Sequence, residues 1–168
     1  MREPRVQQPR VAVRQLESVK VAEMDDEHER CADAMEVLVR DRTAASLRRV
    51  LREFEAHFRH EEELLDQHLY SEILGAEAAG GFSADVSARK SHFADHERIL
   101  ADIRKECERC NSLQGADAAG ESAAVVPAAF AARVVADFEK HADQYDGHYA
   151  DRLAESIAQN TGGSISSK

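Results

Sequence analysis

The chain has 168 residues, a length typical of a single domain with a sizeable core, and its formal charge of −10 argues against nucleic acid or an anionic membrane as a partner. Its many Ala, Glu, Arg and Leu residues, with three Pro and no Trp, favour helices. No segment has the apolar length of a membrane span, residues 1–15 lack the apolar core of a secretory signal, and three cysteines make no disulfide framework. The sequence therefore predicts a cytoplasmic protein.

The chain opens with an N-terminal arm, predicted over residues 1–20, whose two prolines and several arginines suggest an extended or loosely packed segment. A first helix is predicted over residues 25–40, where Asp25 and Asp26 suit the helix N-terminus. The positions predicted to face inward on this helix are His28, Cys31, Ala32, Met35 and Val39.

The second predicted helix, residues 43–69, carries a polar pair inside its apolar stripe. The apolar positions of that stripe are Leu47, Val50, Leu51, Phe54, Phe58, Leu65 and Leu69. His57 and Glu61 lie four residues apart and so fall on the same inward face. A histidine and a carboxylate that face a core need partners, because burying an unpaired charge is costly. The simplest partner for such a pair is a metal ion.

The third and fourth predicted helices also carry histidines on their apolar stripes. The third helix, residues 84–113, follows a linker at 75–81, and a second loop at 115–124 leads to the fourth helix, which starts near Pro127. The inward positions of the third helix are His92, Phe93, His96, Ile99, Leu100, Ile103 and Cys107. Those of the fourth helix are Phe130, Val134, Phe138, His141, Tyr145, Tyr149 and Leu153.

Four amphipathic helices predict an all-α fold, an antiparallel up-and-down four-helix bundle over residues 21–160 with a disordered tail at 161–168. Each helix brings at least one histidine to its stripe. A lone histidine on an apolar stripe is more often an ordinary core residue than a ligand, but five on four stripes favour a shared metal site. These five are His28, His57, His92, His96 and His141.

Four short motifs in the chain resemble those of the hemerythrins. They are Met24-Asp25-Asp26-Glu27-His28, His57-Phe58-Arg59-His60-Glu61, His92-Phe93-Ala94-Asp95-His96 and His141-Ala142-Asp143-Gln144-Tyr145-Asp146. The family pattern is one His on the first helix, HxxxE on the second, HxxxH on the third and HxxxxD on the fourth. Every ligand position of this pattern is filled with the expected residue type, and the resemblance extends from about Val21 to Tyr149.

The resemblance implies a non-haem di-iron centre that binds dioxygen. In that reading His92, His96 and His141 hold the first iron, His28 and His57 hold the second, and Glu61 and Asp146 bridge the two irons beside a solvent-derived oxygen. One coordination position of the second iron is then open to dioxygen. Phe58 and Phe138 are expected to line the oxygen pocket.

The function that the resemblance implies is reversible dioxygen binding, for carriage, storage or sensing, rather than catalysis. Ferritin-like di-iron enzymes use mostly carboxylates, whereas this chain offers five histidines and two carboxylates. Two alternatives stay open: a di-iron oxidoreductase that acts on peroxide or nitric oxide, and a protein that stores iron or donates it to another protein.

The position of Asp146 predicts a distortion in the fourth helix. Asp146 lies five residues after His141, and on a regular helix that step would rotate its side chain well away from the direction of His141. A local distortion such as a π-bulge, which often marks a functional site, is therefore expected around residues 144–147.

Other polar residues are given simpler interpretations. Cys107 and Cys110 form a C-x-x-C near a helix end, which favours two ordinary thiols over a redox pair. His60, His68 and His148 are expected at the surface, at helix ends or in packing. The acidic runs at 25–27 and 61–63 are expected to be mostly solvated, with Glu61 the exception.

Overall fold

The computed structural model describes residues 13–71, 84–116 and 125–162 and contains four helices. The first three are α1 (Ala22–Asp41), α2 (Ala44–His68) and α3 (Ala84–Ala116). The fourth helix consists of α4 (Ala128–His141), a π-helical segment (Ala142–Asp146) and α5 (Gly147–Gly162). The predicted all-α fold is therefore confirmed. The linker predicted at 75–81, residues 117–124 of the second loop and the tail from residue 163 lie outside the described residues.

The direction of the helices alternates between two apolar clusters. The large cluster includes Met35, Phe54, Ile103 and Val134. The small cluster includes Met24, Leu65 and Leu153, with Phe93 packed against it. Along the chain α1 runs from the small cluster to the large one, α2 returns, α3 repeats the direction of α1, and the fourth helix returns. This alternation is the up-and-down bundle that the sequence predicted.

The turn between α1 and α2 fixes the start of the fourth helix. Arg42 ends α1 in the left-handed conformation at φ 50°, and Thr43 caps α2 by accepting a hydrogen bond from the backbone N–H of Ser46 at 3.1 Å. The backbone N–H of Val126 donates to the carbonyl oxygen of Arg42 at 2.8 Å. This bond ties the segment just before α4 to the end of α1, and it therefore fixes where α4 begins beside α1.

Residues 13–20, here called the arm, pack along the bundle instead of extending into solvent. Val13 and Leu16 contact the large cluster, whereas Val19 is buried in the small cluster. The carboxylate of Asp25, in the first turn of α1, accepts hydrogen bonds from the Ser18 hydroxyl at 2.6 Å and the Val19 N–H at 2.8 Å. The arm therefore crosses the layer between the two clusters as a segment without regular secondary structure, held to the bundle by a few side chains.

The inward face of α1 differs from the predicted stripe. The helix buries Ala34 and Leu38 completely, whereas Ala32 and Val39, which were predicted to face the core, are half-buried. The buried positions are Met24, His28, Cys31, Ala34, Met35 and Leu38. These positions, apart from Ala34, recur in alternating steps of four and three residues, the repeat of helices that pack nearly parallel in a bundle.

Candidate metal centre

Seven polar side chains converge in the layer between the two apolar clusters. They are His28, His57, Glu61, His92, His96, His141 and Asp146, each at most 5% exposed. Every helix of the bundle contributes at least one of them. The structure thus brings together all the side chains that the sequence proposed as metal ligands, and their role as ligands stays a prediction.

The seven side chains form two groups whose ligand atoms lie within 4.8 Å of one another inside each group. One group consists of Glu61, His92, His96 and His141. The other consists of His28, His57 and Asp146. This buried cluster could hold metal ions. The second group is a two-histidine, one-carboxylate set, which is typical of Fe(II) centres that keep coordination positions open.

The two carboxylates lie between the two groups. Glu61 Oε2 is 3.1 Å from Nε2 of His96, in its own group, and 3.8 Å from Nε2 of His57 in the other. Asp146 Oδ2 is 3.2 Å from Nε2 of His28, and its Oδ1 is 3.5 Å from Nε2 of His141. Each carboxylate therefore reaches histidines of both groups, which is the placement that a bridging ligand needs.

In three of the histidines the second ring nitrogen, Nδ1, contacts a carboxylate that is not one of the seven ligand candidates. Nδ1 of His57 lies 3.3 Å from Glu27, Nδ1 of His96 lies 2.8 Å from Glu62, and Nδ1 of His141 lies 3.0 Å from Asp95. Carboxylate partners of this kind orient metal-binding histidines and fix the proton on the nitrogen that faces away from the metal. Nε2 of each ring is then left with a lone pair that points into the centre.

The Nε2 atoms of three histidines lie close together, and the carboxylates at Nδ1 of His96 and His141 leave the Nε2 atoms of these two rings without a proton. Nε2 of His141 lies 3.0 Å from Nε2 of His96 and 3.2 Å from Nε2 of His92. The hydrogen bond from His141, the largest cause, lowers the pKa of Asp95 to about 2, so this carboxylate is ionised at neutral pH and Nδ1 of His141 must donate to it. Lone pairs at this separation repel unless a cation lies among them.

The separation of these nitrogens suits two ligands of one ion. Two nitrogens at about 2.1 Å from one ion are about 3.0 Å apart at a right angle and about 3.4 Å apart at a tetrahedral angle. The 3.0 Å between His141 and His96 matches the right angle, and the 3.2 Å between His141 and His92 lies midway between the two values. The spacing of these histidines therefore fits both octahedral and tetrahedral coordination of a first-row metal ion.

Several buried polar atoms of the centre make no hydrogen bond. They are Nδ1 and Nε2 of His28, Nε2 of His57, both carboxylate oxygens of Glu61 and Oδ2 of Asp146. Some of these atoms approach one another, as Oδ2 of Asp146 approaches Nε2 of His28, but without the geometry of a hydrogen bond. Unpaired buried polar groups are rare and costly, and the donor atoms present here, nitrogen and oxygen, fit a first-row metal ion.

Burial keeps two of the imidazoles in the form that binds metals. Burial, the largest cause, lowers the pKa of His57 to about 4 and that of His92 to about 2, so both rings are neutral at neutral pH. Burial and the charge of Asp146 raise the pKa of Glu61. Burial acts in the same direction on Asp146, but its contact with His28 and the charges of the nearby histidines lower its pKa overall.

Aromatic rings surround the histidines. Phe58 stacks on His96 with ring centroids 4.1 Å apart, and Phe138 lies 6.0 Å from His28 and 5.9 Å from His57. Both phenyl rings are at most 1% exposed. In the first ligand group, Tyr145 stacks on His92 with ring centroids 4.6 Å apart. On the side that faces Phe138, His28 and His57 thus meet a phenyl ring, which carries no proton to donate.

Some functional residues were missed because they lie one position away from a proposed ligand. Glu27 and Glu62 were predicted to be solvated, yet both are partly buried against histidines. Asp95 was given no role. The sequence did contain a signal, because Glu27 precedes His28, Glu62 follows Glu61 and Asp95 precedes His96. One helical step of about 100° moves a side chain from the centre towards the neighbouring helix.

The remaining histidines and the cysteines lie away from the centre. His148 is exposed, and His68 lies at the end of α2, where Nδ1 contacts the side-chain amide of Asn160 at 3.2 Å. His60 is half-exposed, and its Nδ1 lies 3.0 Å from Glu27. Cys107 and Cys110 are free, buried thiols whose pKa burial raises, which accords with ordinary thiols.

No protein-family model matches the chain, and neither a curated protein nor a solved structure shows significant similarity to it. Among the described residues, no helix combines the length and the hydropathy that crossing a bilayer requires. The functional assignment therefore depends on the geometry of the centre and on the four sequence motifs.

Proposed function

We propose that the protein is hemerythrin-like and binds dioxygen reversibly at a non-haem di-iron centre. The observation that carries this proposal is the pair of adjacent ligand groups, rich in histidine, with a carboxylate reaching into both. The two-histidine, one-carboxylate second group supports iron over zinc.

The ligand residues would have different roles in the site. His92, His96 and His141 would hold one iron, His28 and His57 the other, and Glu61 and Asp146 would bridge them. The irons would supply the electrons and the vacant coordination position that dioxygen binding needs. That position would belong to the iron held by His28 and His57, because fewer protein ligands are available in this group.

The phenyl rings make the reaction reversible in this proposal. Phe138 faces both His28 and His57, and Phe58 packs against His96 and His141 at centroid distances of 4.1 and 5.2 Å. Because these rings exclude water on their side of the centre and donate no proton, bound dioxygen is more readily released unchanged. A wetter pocket would favour irreversible oxidation of the irons.

The test loads the metal-free protein anaerobically with Fe(II), measures bound iron, exposes the protein to air and then removes the oxygen while the visible spectrum is recorded. Two irons per chain and a spectrum that appears and disappears with oxygen are expected. Irreversible oxidation, or turnover with peroxide or nitric oxide, would indicate an enzyme instead. One metal per chain, or a preference for zinc when iron is plentiful, would exclude the di-iron assignment.

A further inference from the structure

A cavity of about 290 Å³ connects the surface with the second ligand group. It lies between the arm and the fourth helix. Its outer lining includes the exposed residues Glu17, Lys20 and Asp143, whereas its inner lining includes the buried residues His28 and Asp146. The same space is thus bounded by solvent at one end and by two proposed metal ligands at the other.

The side chains at the inner end of the cavity carry unpaired ligand atoms. Both ring nitrogens of His28 and Oδ2 of Asp146 make no hydrogen bond, and the two side chains are 5% and 1% exposed. His28 differs from His57, His96 and His141, whose Nδ1 atoms contact carboxylates. Its ring is therefore the least restrained of these four and borders the cavity directly.

The charge of the lining favours a cation. The carboxylates that line the cavity belong to Glu17, Asp143, Asp146 and Asp151, and they face a single ammonium group, that of Lys20. A cleft lined by one sign of charge raises the local concentration of the opposite ion and its association rate. A second cavity, of about 250 Å³ on the other side of the arm, reaches His28 but not Asp146.

From these observations we infer that the cavity between the arm and the fourth helix is the route by which a divalent cation enters and leaves the metal centre, with the arm as its cover. This inference rests on the metal centre proposed above. The acidic outer residues attract the ion, and His28 and Asp146 are the first ligands that it meets.

The arm is fastened at both ends by contacts that can open without unfolding the bundle. At one end the guanidinium of Arg14 pairs with Glu139 at 3.7 Å and with Asp143 at 2.5 Å. At the other end Lys20 pairs with Asp151. Exposed ion pairs of this kind contribute little stability. Between them the arm is held by buried Val19 and by the hydrogen bonds to Asp25, which are fewer contacts than a helix makes, so the arm is expected to lift locally more often than the helices unfold.

The experiment measures the uptake of Co²⁺ by the metal-free protein in a stopped-flow spectrometer and its release to excess EDTA. Gly147→Leu narrows the cavity, because Gly147 is exposed in its lining and a Cβ there would meet no atom closer than 4.0 Å. Lys20→Ala unfastens the arm and removes the positive charge. His148→Leu adds the same side chain at the adjacent exposed position, outside the lining, and is the matched control.

Gly147→Leu is expected to slow uptake and release together by about tenfold, with unchanged stoichiometry and affinity, and Lys20→Ala to speed both about two- to threefold. His148→Leu should match the wild type. If both Gly147→Leu and Lys20→Ala bind cobalt at unchanged rates, the cavity is not the route, although the proposed metal centre still stands. If Gly147→Leu does not bind cobalt, the uptake and release rates of Lys20→Ala alone test the route. A wild-type protein that binds no cobalt would overturn the metal centre and the route with it.

Discussion

At the scale of single residues, each of the first three helices orients a histidine on the next helix of the chain. Glu27 of α1 contacts His57 of α2, Glu62 of α2 contacts His96 of α3, and Asp95 of α3 contacts His141 of α4. Because every contact is made by Nδ1, the Nε2 atoms of all three rings face the centre. The ligand geometry is therefore built from contacts between helices as well as from positions on them.

Removing one of these carboxylates should weaken metal binding without removing a ligand. Asp95→Asn replaces the ionised partner of His141 with a neutral amide, and the expected loss in Co²⁺ affinity is about 10- to 100-fold. Competition with a chelator of known affinity measures it. Asp137→Asn is the matched control, because Asp137 also pairs with Arg98. Equal affinities of the two variants would show that Asp95 does not act through His141.

Phe138 is expected to control how long the oxygenated protein lasts. Phe138→Ala opens space beside His28 and His57, so water should reach the irons and autoxidation should be faster while the iron content stays nearly unchanged. Because the ring is fully buried, its removal should also lower the free energy of unfolding by about 3–5 kcal/mol. The decay of the oxygenated spectrum, at a temperature where both proteins stay folded, gives the rate.

Phe54→Ala is the control for Phe138→Ala. Phe54 is also fully buried and stacks on Phe138 at 4.5 Å, one layer farther from the histidines. Its removal should lower stability by a similar amount while autoxidation stays close to the wild-type rate. If both variants autoxidise equally fast, loss of packing rather than the wall of the pocket explains the effect.

The ligand candidates could be found from the sequence, because each lies on an apolar stripe and all but His28 have a partner four or five residues away. Glu27, Glu62 and Asp95 could not be assigned in this way. A side chain one step from the stripe meets either solvent or the adjacent helix, and the outcome depends on how the two helices are rotated against each other. That rotation follows from the packing of the whole bundle and is absent from the spacing of any single helix.

At the scale of elements, the π-helical segment Ala142–Asp146 serves both the site and the core. The expected distortion near residues 144–147 is confirmed, and Asp146 is 1% exposed beside His141. The extra residue also sets the register of α5, whose Tyr149 and Leu153 are buried in the small cluster. A regular helix that directs His141 inward would turn these side chains by about 100°.

Inserting one alanine after Gln144 should therefore remove the second metal. Gln144 is exposed, and a further residue beside it turns Asp146 by about 100°, away from His28. We expect a lower melting temperature, because Leu153 also rotates, and at most one metal per folded chain. Metal analysis after size-exclusion chromatography separates folded protein from aggregates. Deleting Gln144 instead removes the extra residue, so a regular helix places Asp146 four residues after His141 on the same face, and this variant should keep two metals; two metals in the insertion variant would contradict the role of the segment.

At the scale of the whole molecule, a polar layer is held between two apolar clusters. The metal-free bundle keeps neutral imidazoles and unpaired carboxylate oxygens in this layer, which opposes folding. An ion that binds the folded chain alone stabilises it, by about 4 kcal/mol at a concentration a thousandfold above the dissociation constant. The bundle is therefore expected to tolerate its polar layer mainly because metal binding stabilises it.

The metal-free protein should lose stability as the pH falls from about 6.5 to about 4. In the folded chain burial lowers the pKa of His57 to about 4, whereas an unfolded histidine has a pKa near 6.5. Between these values the unfolded chain binds more protons than the folded chain, so acid favours unfolding. Glu61, whose pKa burial raises, acts in the opposite direction, and the test must therefore isolate His57.

Urea unfolding of the metal-free wild type and of His57→Gln at pH 7 and pH 4.5 isolates this histidine. The wild type is expected to lose more free energy of unfolding than the variant, by about 2–3 kcal/mol, because only the wild type carries an imidazole that folding keeps unprotonated. Val134→Ala, a buried substitution without a titratable group, should be less stable at both pH values but show the wild-type difference. Equal differences for the wild type and His57→Gln would mean that His57 takes up its proton as readily in the folded chain as in the unfolded one, and that the centre is open to water.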